Sequence, residues 1–257
     1  MLLRSAMLVA FFTAVLALAP HSAQSAEIRV LSANGMREVM QDLGPKFERV
    51  TGHKLAITFA TVGVIVKRIQ EGETADVIIV PRQGINRLVK DGKANAEAIA
   101  VLARSGIGVI VRQGAPKPDI STPEALKRTL LAAKSVTYLD PAAGGTTGVH
   151  FAKVLDRLGI ADVMKTKIVF HANAKAAGAL VANGEAEIGV NLIQELMPLP
   201  GIEIVGPLPG DLQLTLLFAA TIMNGAEETS ASKALIDFLR TPDAAMVIKA
   251  KGMEPAF

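Results

Sequence analysis

The 257-residue chain has no cysteine and no tryptophan, and Tyr138 is its single tyrosine. Without cysteine it can have no disulfide framework, no thiol nucleophile, no cysteine-ligated zinc or iron–sulfur cluster and no lipid-modified N-terminal cysteine. Aromatic residues make up 4% of the chain, which leaves little stacking surface for sugars or bases. Clustered positive charge is also missing. The 27 basic and 24 acidic residues interleave, as in Lys46-Phe47-Glu48-Arg49 and Lys67-Arg68-Ile69-Gln70-Glu71. The net charge of +3 therefore describes a mixed solvated surface, and nucleic acid is not an expected partner. A weak positive bias still favours small anions. The histidines form no HExxH pair and no ligand cluster, so neither a metal nor a cofactor is expected. No G-x-S-x-G elbow or assembled triad is present.

The chain opens with one positive charge, Arg4, followed by the 14-residue apolar run Ala6–Ala19, Pro20, and the small residues Ser22, Ala23, Ser25 and Ala26. This is the pattern of a secretory signal, with Ala23 and Ser25 at the −3 and −1 positions of a cut after residue 25. As a helix, fourteen residues reach only about 21 Å, too short for a bilayer core of about 30 Å. Residues 1–25 are thus expected to be a cleaved signal peptide and the remainder an exported protein in the periplasm. No later run is long enough to be a membrane anchor.

Short apolar runs then alternate with amphipathic stretches. Ile28–Ala33 predicts a strand. Met36, Val39, Met40, Leu43, Phe47 and Val50 form one stripe of a helix that ends at Thr51-Gly52. The alternation predicts strands at Lys54–Ala60, Asp76–Val80, Ser135–Leu139, Lys167–Phe170, Glu187–Asn191 and Ile202–Val205, with helices between most of them. Ser121-Thr122-Pro123-Glu124 has the spacing of a capping box. Such alternation predicts an α/β fold with mostly parallel sheets. The pattern restarts after the Pro-rich loop 113–122, and two long extended runs, 101–111 and 213–222, could cross between two lobes. The expected division is residues 26–104 with 218–257 as one lobe and residues 105–217 as the other.

Several strand-to-helix turns share glycine and hydroxyl residues: Ser32-Ala33-Asn34-Gly35, Thr61-Val62-Gly63, the stretch from Asp140 through Gly144-Gly145-Thr146-Thr147-Gly148, and Ala172-Asn173-Ala174. Helix N-termini of this composition converge N–H and O–H groups on an anion, although ordinary capping uses the same residues. Arg82, after a strand, suits bidentate carboxylate binding, and Lys175 stands near the last of these turns. Both also read as ordinary solvated cations. His150, His171 and Asp140 lie beside the candidate loops, where histidine or aspartate could act as an acid or base. Each also reads as a structural residue.

In order along the chain, several motifs resemble those of the periplasmic molybdate-binding proteins of ABC importers, part of the type II solute-binding proteins. They are Ile28-Arg29-Val30-Leu31-Ser32-Ala33, Phe47-Glu48-Arg49-Val50-Thr51-Gly52-His53-Lys54, Gly72-Glu73-Thr74-Ala75-Asp76-Val77, Asp140-Pro141 with Ala152-Lys153 and Leu158-Gly159, Gly184-Glu185-Ala186-Glu187-Ile188-Gly189, and Phe238-Leu239 through Pro242 to Gly252. Together they cover nearly all of residues 27–257. The resemblance implies a two-lobed type II periplasmic binding protein fold with an anion held in the cleft between the lobes, and a possible inner-membrane ABC permease as partner. A monomer is expected.

The family's first-loop serine falls on Gly35 beside Asn34. Its second-loop hydroxyls fall on Thr61-Val62-Gly63, and its tyrosine on Asn191 or Leu192. With Arg82, Thr146, Thr147 and Lys175, these positions make up the implied ligand site. The departures widen the expected ligand from an oxyanion such as molybdate to a small di- or tricarboxylate. Bacterial aconitate isomerase resembles the same group, so the alternative expectation is an exported isomerase of an unsaturated tricarboxylate, with His171, His150 or Asp140 moving the proton.

Overall fold

A computed structural model describes residues 25–257. The expected signal peptide therefore lies, but for Ser25, outside the described residues. The strands are β1 (Glu27–Ala33), β2 (Lys54–Ala60), β3 (Val77–Pro81), β4 (Ala100–Ser105), β5 (Ile107–Arg112), β6 (Val136–Leu139), β7 (Ile168–His171), β8 (Ile188–Leu192), β9 (Ile202–Pro207), β10 (Leu216–Ile222) and β11 (Glu254–Pro255). The helices are α1 (Arg37–Thr51), α2 (Val62–Gln70), α3 (Arg82–Lys90), α4 (Pro123–Ala132), α5 (Thr146–Arg157), α6 (Ala161–Met164), α7 (Ala174–Ala182), α8 (Ile193–Leu196), α9 (Thr229–Phe238) and α10 (Pro242–Ala250).

Two sheets carry the fold. One has the order β11-β4-β10-β3-β1-β2 and the other β7-β6-β8-β5-β9. Parallel pairing is confined to β1 with β2 and β3, and to β6 with β7 and β8. The pairs made by β4, β5, β9, β10 and β11 are antiparallel. Mixed sheets thus replace the mostly parallel ones predicted, and the chain path explains the difference. The parallel strands run toward the space between the sheets. β5 and β10 begin there, because each has just crossed from the other sheet, so each must run away from it.

The predicted extended run 101–111 is broken at Gly106, where the chain passes from β4 to β5. A side chain at Gly106 would come within 2.6 Å of the Gln213 amide nitrogen. Gln213 ties the two crossings together. Its Oε1 accepts from Ile107 N at 3.0 Å and its Nε2 donates to Ile107 O at 2.9 Å.

The α1 stripe packs as its spacing predicts. Met36, Val39, Met40, Leu43 and Phe47 are at most 1% exposed, and each such burial contributes about 1.5–3 kcal/mol. Val50 departs from the stripe and is 75% exposed. The chain turns out of the helix two residues later, at Gly52 with φ 77°, and nothing covers the last apolar position. Helix α4 begins one residue later than the capping-box spacing suggests. Thr122 is its N-cap and accepts from Ala125 N at 3.1 Å, whereas Ser121 bonds to exposed Asp119. Thr122→Ala should therefore cost about 1 kcal/mol in urea unfolding. A smaller loss than from Ser121→Ala would contradict this assignment of the cap.

Asp76, fully buried just before β3, joins β1 to the loop between β10 and α9. Its Oδ2 accepts from Arg29 N at 2.8 Å, and its Oδ1 accepts from Glu227 N at 2.8 Å and Glu228 N at 3.3 Å. The Arg29 guanidinium adds a contact at 3.4 Å.

Candidate functional site

Strands β1, β2, β6 and β7 end at the space between the sheets, and each hands the chain to a helix whose N-terminus faces that space. The unpaired N–H groups of such first turns are donors for an anion. The cleft they enclose has a volume of about 570 Å³. Asn34 and Gly35 line it from the turn before α1. Thr61 and Val62 line it from the start of α2, Thr146 and Thr147 from the start of α5, Lys175 from the start of α7, and Asn191 from the end of β8.

Local bonds explain how these groups are held. Asn34 Oδ1 accepts from Arg37 Nη2 at 2.9 Å. Gly35 is buried against the Phe218 ring, where a Cβ would meet Cζ at 2.7 Å. Buried Thr147 donates from Oγ1 to Asn191 Oδ1 at 3.4 Å, and the same oxygen accepts from Leu192 N at 2.8 Å. Asn173 caps α7 by accepting from Ala176 N at 3.0 Å, which fixes the turn that carries Lys175. Behind the cleft, buried Gln194 donates to Gly35 O at 3.2 Å and bonds to Ser105.

The other candidates stand elsewhere. Gly63 does not line the cleft. Its N–H donates to Gly144 O at 3.0 Å, beside the Thr61 Oγ1 bond to Ala143 O at 3.0 Å. These two bonds clasp the sheets' loops together at the cleft. Arg82 starts α3 and its Nε donates to Asn86 Oδ1 at 3.0 Å; its neighbour Pro81 reaches the cleft instead. His150 sits on α5 with Nε2 2.8 Å from Leu212 O. Asp140 accepts from Ala142 N at 2.9 Å and so caps the short turn before α5. His171 is buried away from the cleft with neither ring nitrogen bonded to a side chain, and burial pulls its pKa down to about 4, so it is neutral at physiological pH.

Three charged residues that sequence reasoning passed over line the cleft: Arg37, Glu38 and Glu195. The Arg37 guanidinium lies 4.3 Å from the centre of the Phe59 ring, a cation–π arrangement that holds it against that wall. Glu195 stands on α8, a turn the sequence reading left without a helix. Burial pushes its carboxyl up to about 7, against the opposing pull of Arg37 and Asn191. Arg37 and Glu195 each stand about one turn past a strand that ends at the cleft, β1 and β8, and that position identifies them. Phe59, Leu139, Leu192, Leu199 and Phe218 supply apolar wall. Among the described residues, no group of acidic or histidine side chains is arranged to hold a metal ion. None of their helices is long and apolar enough to cross a membrane.

Two sheets joined by crossing segments around a cleft rich in helix N-termini define a two-lobed α/β binding protein. The chain belongs to the family of bacterial extracellular solute-binding proteins, which it matches over residues 28–254. It is 34% identical over 236 residues to an aconitate isomerase of a Pseudomonas species, covering 89% of this chain and 87% of that one. It is 30% identical over 235 residues to the molybdate-binding protein ModA of Azotobacter vinelandii, covering 90% and 91%. Among solved structures, the substrate-binding domain of a putative molybdenum ABC transporter from Clostridium difficile superposes with a TM-score of 0.71 at 17% identity, covering 91% of this chain and all of that one.

Proposed function

We propose that the protein captures a small organic di- or tricarboxylate in the cleft, for delivery to an inner-membrane ABC importer. The observation that carries this reading is that two cations on helices following different sheets, Arg37 on α1 and Lys175 on α7, line a cleft of about 570 Å³ together with hydroxyl and helix N-terminal donors and apolar walls. A compact oxyanion needs donors on every side and no carbon-lined space. A polycarboxylate needs separated anion sites with room for its skeleton between them, and clefts of this size are usual for small organic ligands. In this reading Asn34, Gly35, Thr61, Val62, Thr146, Thr147, Lys175 and Asn191 surround the anion, and Gly63 serves closure. The closing units are residues 26–104 with 218–257 and residues 105–217, working as a monomer in the periplasm after loss of residues 1–25.

The test is a thermal-shift screen of the mature protein with citrate, both aconitates, molybdate, tungstate, sulfate and phosphate. A carboxylate at about 100 times its Kd should stabilise by about 2.7 kcal/mol. Arg37→Ala and Lys175→Ala should each weaken its binding about tenfold, about 1.4 kcal/mol. Stabilisation by the oxometallates alone would reject the carboxylate ligand.

The 34% identical relative and the position of Glu195 favour a second reading, an isomerase that moves a proton between two carbons of an unsaturated tricarboxylate such as aconitate. A cleft carboxyl that titrates near neutrality can both accept and return a proton. His150, His171 and Asp140 are engaged or buried outside the cleft, which counts against them in that role. Incubation with cis-aconitate should then yield the trans isomer. A protein that binds cis-aconitate and leaves it unchanged would reject this reading alone.

A further inference from the structure

Glu195 sets a problem for any anion that enters the cleft. It follows β8 by one turn and lines the same walls as the donor groups. The charged groups that line the cleft with it are Arg37 and Glu38 from α1 and Lys175 from α7, and of these Arg37 acts on its carboxyl. From the end of β8 it meets Asn191. On β9, Glu203 is turned outward to Gly114 N and Lys117. Among the described residues no ion pair includes Glu195, and Arg37, whose charge acts on it, is also a cation that the incoming carboxylate needs. An ionised Glu195 would thus face an incoming carboxylate as a like charge that competes with it for Arg37.

We propose that Glu195 takes up one proton as a carboxylate anion enters the cleft and, as the neutral acid, donates a hydrogen bond to that anion. The inference rests on the carboxylate-binding reading above and extends it to the protonation state of the complex. The proton comes from solvent. A neutral carboxyl has one O–H donor, which turns a repulsive group into a donor matched to a carboxylate oxygen. The cleft is poised for this change, because burial already holds the carboxyl near 7. A like charge brought close, with water expelled, raises it further. Binding then selects the protonated form, and affinity must fall as pH rises.

The experiment is calorimetric titration of the mature protein with trans-aconitate in buffers of different ionisation enthalpy, between about pH 6 and about pH 8.5, where simple carboxylic acids are ionised. Uptake of about half a proton per ligand is expected at about pH 7, rising toward one at higher pH. Affinity should weaken up to about tenfold per pH unit on the alkaline side. Glu195→Gln, of equal size, should bind without uptake and with nearly constant affinity, and Glu195→Asp should restore part of the pH dependence. Wild-type binding without uptake, or unchanged uptake in Glu195→Gln, overturns the inference and leaves the carboxylate cleft standing. Failure of trans-aconitate and citrate to bind at any pH overturns both.

Discussion

Replacing Asp76 by alanine is expected to destabilise the protein by about 3–5 kcal/mol, the usual cost of removing one partner from a buried charged cluster. The residue is 0% exposed. Its carboxylate accepts three backbone N–H groups, from Arg29, Glu227 and Glu228, as well as the Arg29 side chain. Alanine leaves those part-buried donors without their acceptor, and an unmade buried hydrogen bond costs more than a made one contributes. The chain is large, so about 3 kcal/mol corresponds to a fall of roughly 10 °C in Tm. The pH dependence has a definite sign. Burial alone would raise this carboxyl, but the backbone N–H groups and Arg29 outweigh it and hold the pKa below its ordinary value. Its contribution is therefore complete above the unfolded pKa of about 3.9 and is lost as pH falls through the lower folded value. Urea unfolding of wild type and Asp76→Ala at neutral and acid pH measures both effects. A loss below about 1 kcal/mol at neutral pH would contradict the account.

Asp76 also marks where the sequence is legible and where it is not. The motif that contains it resembles a family strand entry, yet nothing in the motif says that the carboxylate collects donors from residues some 150 positions later. Local pattern identifies elements; long-range satisfaction of buried polar groups depends on which loops the topology brings together. The same division holds at the site. Asn34, Thr61, Thr146 and Lys175 could be named because each lies in or beside the turn that follows a predicted strand, and the strand ends converge. Arg82 follows a strand equally well, but β3 is a central strand flanked by β1 and β10, and at its end Pro81 reaches the cleft while Arg82 turns to Asn86. His171 and Asp140 also sit at strand ends. Side-chain alternation along β7 buries the first, and the second spends its carboxylate on a local turn. Glu195 was missed because Ile193–Leu196 is too short to show helical periodicity.

Gly63→Ala is expected to weaken carboxylate binding about 100-fold, about 2.7 kcal/mol, while leaving the stability of the empty protein unchanged or slightly raised. The two effects have separate causes. Gly63 occupies the first turn of α2, where alanine is the better helix former by roughly 0.5–1 kcal/mol. In the clasped arrangement, however, a Cβ at this position would stand 2.8 Å from Gly144 O and 2.9 Å from Gly144 Cα. Both obstructing atoms are backbone, so no side chain can rotate away. The substitution would also strain the Gly63 N to Gly144 O bond and the neighbouring Thr61 bond to Ala143 O. Opening the clasp relieves the contact, so the cost falls on the closed form alone. A ligand that requires that form loses apparent affinity by the same factor. Calorimetry with whichever of trans-aconitate or citrate gives the wild type its larger thermal shift measures the first effect, urea unfolding without ligand measures the second, and small-angle scattering should show a larger radius of gyration for the variant. Unchanged affinity together with an unchanged radius would show that Gly63 and Gly144 do not limit closure.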